Sequence, residues 1–212
     1  IQSNKNNDYV NHTVISDRIV ASTIACAVAC TGGDVRLKDA ESEHFSTVLH
    51  FLKQAGCDII HEISGLRLRS DAKLRAVGPV STGAYPGFPT DAQPVLMAAL
   101  LKAEGEREII ENIFENRYRQ VPQLNKLGAD IRLDERVALI RGVESLHGSE
   151  LQATDLRGGS ALIVAALSAE GESLIYDDGH IRRGYEDLHK LLGGIGASIE
   201  LSVNEAVPVM LR

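Results

Sequence analysis

The chain has no basic run, no long apolar run and few cysteines, and each absence removes a class of function. Asp and Glu total 29 against 22 Lys and Arg, a net charge of −7. A protein that grips a phosphate backbone needs the opposite balance, so no nucleic-acid partner is expected. A local cationic pocket for a small anion stays open. No apolar stretch approaches the ~20 residues of a bilayer-spanning helix, and no membrane partner is expected. No signal peptide is expected either, and the start at Ile1 rather than Met is read as an artificial or cleavage boundary. Three cysteines cannot all pair, which fits a reducing compartment. Cys26 and Cys30 lie four apart in an apolar helical run with no His or carboxylate at ligand spacing, so they read as core residues rather than a metal or redox pair. Cys57 reads the same way. No metal or cofactor is expected.

What the chain does have is repetition. Ser16-Asp17-Arg18, Thr90-Asp91-Ala92 and Thr154-Asp155-Leu156 each open an apolar helical stretch. Each stretch closes on glycine, at Gly32-Gly33, Gly105 and Gly171, and each is followed later by Gly-x-Asp/Ser-Ile at Gly56, Gly128 and Gly196. The aspartates are spaced by 74 and 64 residues, and the late glycines by 72 and 68. Three landmarks in one order imply one supersecondary block used three times.

The middle copy reads β-α-β-α-β-β. An extended run covers Ala76 to Ser81. Thr90 is the expected N-cap of a helix ending at Gly105, with Asp91 in its first turn. A strand follows from Glu108 to Asn112, then a helix from about Asn116 to Leu127. Strands Asp130–Leu133 and Val137–Arg141 close the unit across a polar turn. The expected organisation is a tail over 1–12, then one lobe over 13–212 with units at about 13–75, 76–146 and 147–212. The first helices are rich in alanine and suit close packing, so the expected fold is α+β, with helices around a pseudo-threefold axis and sheets outside.

Equivalent helix starts from three packed copies gather on one side, and helix N-termini attract anions. Asp17, Asp91 and Asp155 therefore share a face with Arg157, while Arg117 and Arg183 are expected to open later helices. Arginine at a helix start has the wrong sign unless an anion sits there. Aspartate is also an ordinary cap, and spacing alone explains Asp17 and Asp155 that way. Gly158-Gly159 just inside a helix cost roughly 1 kcal/mol each and call for a close approach of ligand or of another segment.

Four blocks carry a family resemblance: Phe88-Pro89-Thr90-Asp91-x-Gln93, Ile113-Phe114-Glu115-Asn116-Arg117, Ala153-Thr154-Asp155-Leu156-Arg157 and His180-Ile181-x-Arg183-Gly184-Tyr185. Together they resemble the UDP-N-acetylglucosamine 1-carboxyvinyltransferases, over about Thr13 to the C-terminus. The resemblance implies the carboxy-terminal lobe of a cytoplasmic bacterial enzyme at the first committed step of peptidoglycan synthesis. Such an enzyme moves the enolpyruvyl group of phosphoenolpyruvate to the 3′-hydroxyl of UDP-N-acetylglucosamine. It implies catalytic roles for Asp91, Asp155 and Arg183, and substrate contacts from Asp91, Ile113, Arg117, Arg157 and Arg183. It also implies a partner, the amino-terminal lobe, which carries the reactive-cysteine loop. The family's extreme amino-terminal segment crosses into this lobe, so one unit is expected to lack a strand and expose a sheet edge. Arg182 replaces a usual acidic residue and Ala92 a frequent Met. Two other readings remain: a nucleotide-sugar binding module without chemistry, and a relative acting on another anion.

Overall fold

The computed structural model describes residues 11–202 and 209–211. The expected tail over 1–12 therefore lies almost wholly outside the described residues. In the first stretch, helix α1 (Arg18–Thr31) leads to β1 (Gly33–Lys38), a 3₁₀ turn and α2 (Ser46–Ala55), then the hairpin β2 (Asp58–Glu62) and β3 (Gly65–Ser70). In the second, β4 (Val80–Ser81) precedes α3 (Gln93–Ala99), β5 (Glu106–Ile110), α4 (Val121–Lys126), β6 (Asp130–Asp134) and β7 (Val137–Arg141). In the third, β8 (Glu150–Gln152) precedes α5 (Leu156–Leu167), β9 (Ser173–Tyr176), α6 (Leu188–Gly193), β10 (Ile199–Leu201) and β11 (Val209–Leu211).

Each stretch builds its own sheet. The orders are β1-β3-β2, β4-β5-β7-β6 and β8-β9-β11-β10. Within the two larger sheets the first strand pairs parallel with the second and the remaining pairs are antiparallel. Helices α1, α3 and α5 pack on one another at the centre. All seven residues of α3 are buried, as are Ser22 to Cys30 of α1 and Gly158 to Ala166 of α5. Small side chains on α1 and α5 allow this approach, and Leu96, Met97 and Leu100 fill what remains. Each such large side chain contributes roughly 1.5–3 kcal/mol by leaving water. The α+β architecture with helices inside and sheets outside is as expected.

The repeat was visible because its glycines are conformationally required. Gly32, Gly105 and Gly171, and later Gly56, Gly128 and Gly196, all have positive φ, between 82° and 117°. Any other residue would be strained there.

Several boundaries differ from expectation, for local reasons. Thr90 does not cap α3: Thr90 to Ala92 form a turn and the helix begins at Gln93, followed by Pro94 near its start. The second helix of the middle unit begins only at Val121, again with a proline in its first positions, so Arg117 sits in the preceding turn. Arg183 lies in a 3₁₀ turn, Ile181–Arg183, rather than opening a helix. The short strand β8 and strand β11 had no clear signal in the sequence.

The first sheet has three strands where the others have four. Its edge strand β1 pairs with β3 on one side, and no described strand occupies the side that β4 and β8 fill beside β5 and β9. A groove of about 460 Å³ runs there, walled by Val20, Ala21, Ile24, Val35, Leu37 and Ile195 among others. Charges guard the strand: Arg67 and Arg69 both pair with Asp34, at 2.6 and 2.9 Å, and Arg36 pairs with Glu62. Such charges are the usual protection of an open edge.

Candidate functional site

The three repeat aspartates occupy equivalent places and do different things. Asp17 caps α1, accepting from the backbone N–H of Ile19 at 2.6 Å and Val20 at 3.2 Å. Asp155 caps α5, accepting from Arg157 N–H at 3.0 Å and Gly158 N–H at 2.9 Å. Asp91 caps nothing. One carboxylate oxygen, Oδ1, meets Arg117, and the other, Oδ2, meets Arg157 at 3.2 Å. The two arginine side chains are mostly covered (16% and 14% exposed) while the Asp91 side chain is 42% exposed. The arginines thus form the floor and the carboxylate faces outward.

Each arginine is aimed by its surroundings. Arg117 also donates twice to the carbonyl of Thr90, from Nε at 3.3 Å and Nη2 at 3.2 Å, and lies over the Phe114 ring at 5.3 Å. Arg157 is placed by the start of α5, which Asp155 fixes. Its guanidinium lies 5.9 Å from the Tyr185 ring centre, and its buried Nη1 has no partner among the described residues. Tyr185 is held in turn by a 2.8 Å hydrogen bond between its hydroxyl and that of Thr23 on α1. Gly184 packs closely here: a Cβ there would lie 2.9 Å from the tip of Leu156, which would have to move, and 3.3 Å from Arg157 Nη1.

Arg183 precedes that glycine. It is exposed, and its 3₁₀ turn is anchored by Asp177, which accepts from His180 N–H at 2.9 Å and Ile181 N–H at 3.2 Å. Among the described residues Arg183 makes no ion pair. Gly158 and Gly159 serve close packing of protein on protein: a Cβ at Gly159 would lie 2.7 Å from Ile181, and one at Gly158 would crowd Asp155, Thr154 and Gln120.

Ile113 and Phe114, on the segment that leads to Arg117, are exposed apolar side chains, 44% and 51% accessible. Their backbone N–H groups both donate to Glu111 Oε1, at 2.9 and 3.1 Å. Thr82 donates to the same oxygen at 2.9 Å, and Thr90 donates to Oε2 at 3.0 Å. No sequence expectation fell on Glu111. Its one signal is a carboxylate directly following the apolar pair Ile109-Ile110.

The structure therefore brings Asp91, Arg117, Arg157 and Asp155 together, from the second and third units, with Ile113 linked to them through Glu111 and Arg183 on the segment that packs on Arg157. Among the described contacts Asp17 acts as a cap of α1 and is not bonded to these residues. Among the described residues no group of His, Cys, Asp and Glu is arranged to hold a metal. No described helix is long and apolar enough to cross a membrane. All three cysteines are free and buried, and burial raises their thiols, Cys30 to about 12 and Cys57 to about 11.

A family model described as EPSP synthase (3-phosphoshikimate 1-carboxyvinyltransferase) matches residues 1–192. The chain belongs to this enolpyruvyl transferase family. Curated members most similar in sequence include a UDP-N-acetylglucosamine 1-carboxyvinyltransferase of Zymomonas mobilis, 48% identical over 189 residues, which are 89% of this chain and 44% of that protein. Another, from Halothermothrix orenii, is 46% identical over 89% of this chain and 45% of its own length. Among solved structures, the enolpyruvyl transferase NikO of Streptomyces tendae superposes with a TM-score of 0.75 at 27% identity, over 87% of this chain and 44% of that one. EPSP synthase of Acinetobacter baumannii shares the fold at 16% identity and a TM-score of 0.70. The chain spans a little under half the length of the relatives it matches.

Proposed function

We propose that the chain is the carboxy-terminal half of a bacterial, cytoplasmic transferase that moves the enolpyruvyl group of phosphoenolpyruvate to the 3′-hydroxyl of UDP-N-acetylglucosamine. Phosphate leaves, and the product enters peptidoglycan synthesis. The observation that carries this reading is Asp91: alone of three equivalent aspartates it is released from helix capping, half exposed, and oriented by two arginines. The substrate identity leans on the similar carboxyvinyltransferases.

The reaction joins the sugar oxygen to the phosphate-bearing carbon, breaks the bond from that carbon to the phosphate oxygen, and removes the hydroxyl proton. Asp91 is placed to accept that proton or to orient the hydroxyl. Each of its oxygens already receives one guanidinium and keeps lone-pair capacity for a substrate O–H. Arg117 and Arg157 fix its geometry, and Arg157 keeps one N–H donor for an anion. Arg183, exposed and unpaired, suits the anionic phosphoenolpyruvate when a second lobe closes over it. Asp155 holds the start of α5 and hence Arg157 at the reacting centre. Ile113 offers an apolar contact to the nucleotide sugar. No metal or cofactor is called for, and neither nucleic acid nor membrane is a proposed partner. The remaining partner is the amino-terminal lobe.

The test is phosphate release from phosphoenolpyruvate and UDP-N-acetylglucosamine, with the chain alone and with a separately made amino-terminal half added. Release only after addition supports the split transferase. Release by the chain alone would show that this half carries all the chemistry. No release in either case, from folded protein that still binds the nucleotide sugar, would replace the transferase with a binding module.

A further inference from the structure

We infer that Glu111 is the positioning residue of the site, a buried carboxylate that sets where Asp91, Arg117 and Ile113 stand relative to one another. This rests on the transferase reading for its kinetic consequences. Glu111 is 1% exposed, yet among the described residues no cation pairs with it. It is held by four donors from two loops: the hydroxyls of Thr82 and Thr90 and the backbone N–H groups of Ile113 and Phe114.

Those donors mark both ends of one loop and the start of the other. Thr82 and Thr90 bracket the segment that delivers Asp91. Thr82 is itself tied to the second loop, accepting from Asn112 N–H at 2.8 Å. Ile113 and Phe114 begin the segment that delivers Arg117, which returns to the Thr90 carbonyl and to Asp91. A ring of contacts results: Glu111, Thr90, Asp91, Arg117 and back through Phe114. Loops carry reactive groups poorly unless something rigid holds them, and the base of this ring is the end of β5. A carboxylate suits the task because it is acceptor-only: Oε1 is shared by three of the donors and Oε2 takes the fourth. Its charge also acts nearby: the Tyr118 phenol is held protonated by burial first and by Glu111 next.

Glutamine can imitate this geometry. Its oxygen can face the Ile113 and Phe114 N–H groups while its amide donates to the Thr90 hydroxyl, which can rotate to accept. Alanine cannot, and it leaves buried donors unpaired. The inference therefore predicts rescue by the conservative change. In the longer protein, Glu111→Ala should lower kcat about thirtyfold or more, since misplacement near 1 Å costs up to about 10²-fold. Glu111→Gln should stay within about fivefold, on the same scale. Both are to be read beside thermal midpoint and beside amide exchange at Ile113 and Phe114, which should quicken in Glu111→Ala only.

If Glu111→Ala does not fold, Thr90→Val cuts a single link, and kcat should fall while the thermal midpoint holds. A folded Glu111→Ala with wild-type kcat, or Glu111→Gln as damaged as Glu111→Ala, would overturn the inference, as would a Thr90→Val of unchanged kcat in the fallback case. Absence of turnover in the unmutated protein would instead count against the transferase reading, and amide exchange in this chain would still decide the positioning claim.

Discussion

The first and second units place an aspartate at the same point of the repeat, and only the second is free of helix capping. Asp17 is followed at once by a helix whose N–H groups it satisfies. Asp91 is followed by a turn, and α3 starts two residues later behind a proline-containing first turn. The backbone donors that would have captured the carboxylate are thus displaced. The Thr90 hydroxyl, which the sequence suggested as a cap, is taken by Glu111. The difference teaches that a shift of one residue in where the helix begins, from directly after the aspartate to one place later, releases a capping carboxylate to take side-chain partners instead, with the fold otherwise kept.

The largest effect expected is on turnover. Asp91→Asn in the longer protein should reduce kcat by about 10²–10⁴-fold if the carboxylate takes the proton. Its thermal stability should barely change, because no helix end depends on it. A loss of stability like that of a true cap would erase the contrast between the two copies. Next, Asp155→Ala and Asp17→Ala should each cost about 0.5–2 kcal/mol of stability, read by denaturant unfolding. Asp155→Ala should also lower turnover by loosening Arg157, whereas Asp17→Ala should not. Equal kinetic damage from both would mean that helix caps in general, rather than the reacting centre, were being sensed.

A smaller effect concerns the thiols. The folded state raises Cys30 to about 12 and Cys57 to about 11, from an ordinary 9.0, so folded protein holds these protons longer than unfolded protein. Their contribution to stability is complete below pH 9.0 and is lost as pH rises through about 11 to 12. At pH 8 an alkylating reagent should label all three cysteines in denaturant and almost none without it. Rapid labelling of the native chain would show that the α1 end of the centre opens more readily than its cap suggests. The smallest effect is at the sheet edge: β1 amides facing the groove should exchange faster than those of β5 and β9. Equal protection would mean that something fills the groove and that the first unit is not the odd one out.

Much of the architecture was legible because it rests on backbone necessity. Positive-φ glycines recur at matching points of each copy, although of the central helices only α1 ends directly on its glycine while α3 and α5 stop a few residues before theirs, and alanine-rich stretches marked the centre. Short strands such as β8 were not legible, because three residues carry no period. The site was legible as a set of residue names and less so as geometry. Arg117 and Arg183 sit in turns rather than at helix starts, since Pro122 in one case and the Gly184 to Asp187 stretch in the other delay the helix. Glu111 was invisible because its meaning comes from loops that meet it only in three dimensions.

The alanine packing of α1 against α3 and α5 has a consequence for how such a protein tolerates change over generations. Helices packed through small buried side chains leave little slack, so a methyl group added at Ala161 or Ala165, both fully buried, is expected to push one helix against another. The end that would register the shift is where Asp91 of one unit meets Arg157 of the next. Mutational drift is therefore cheap on the outer sheets and expensive along the axis. The axis works as a gauge, and the oldest memory of the repeat should be kept there.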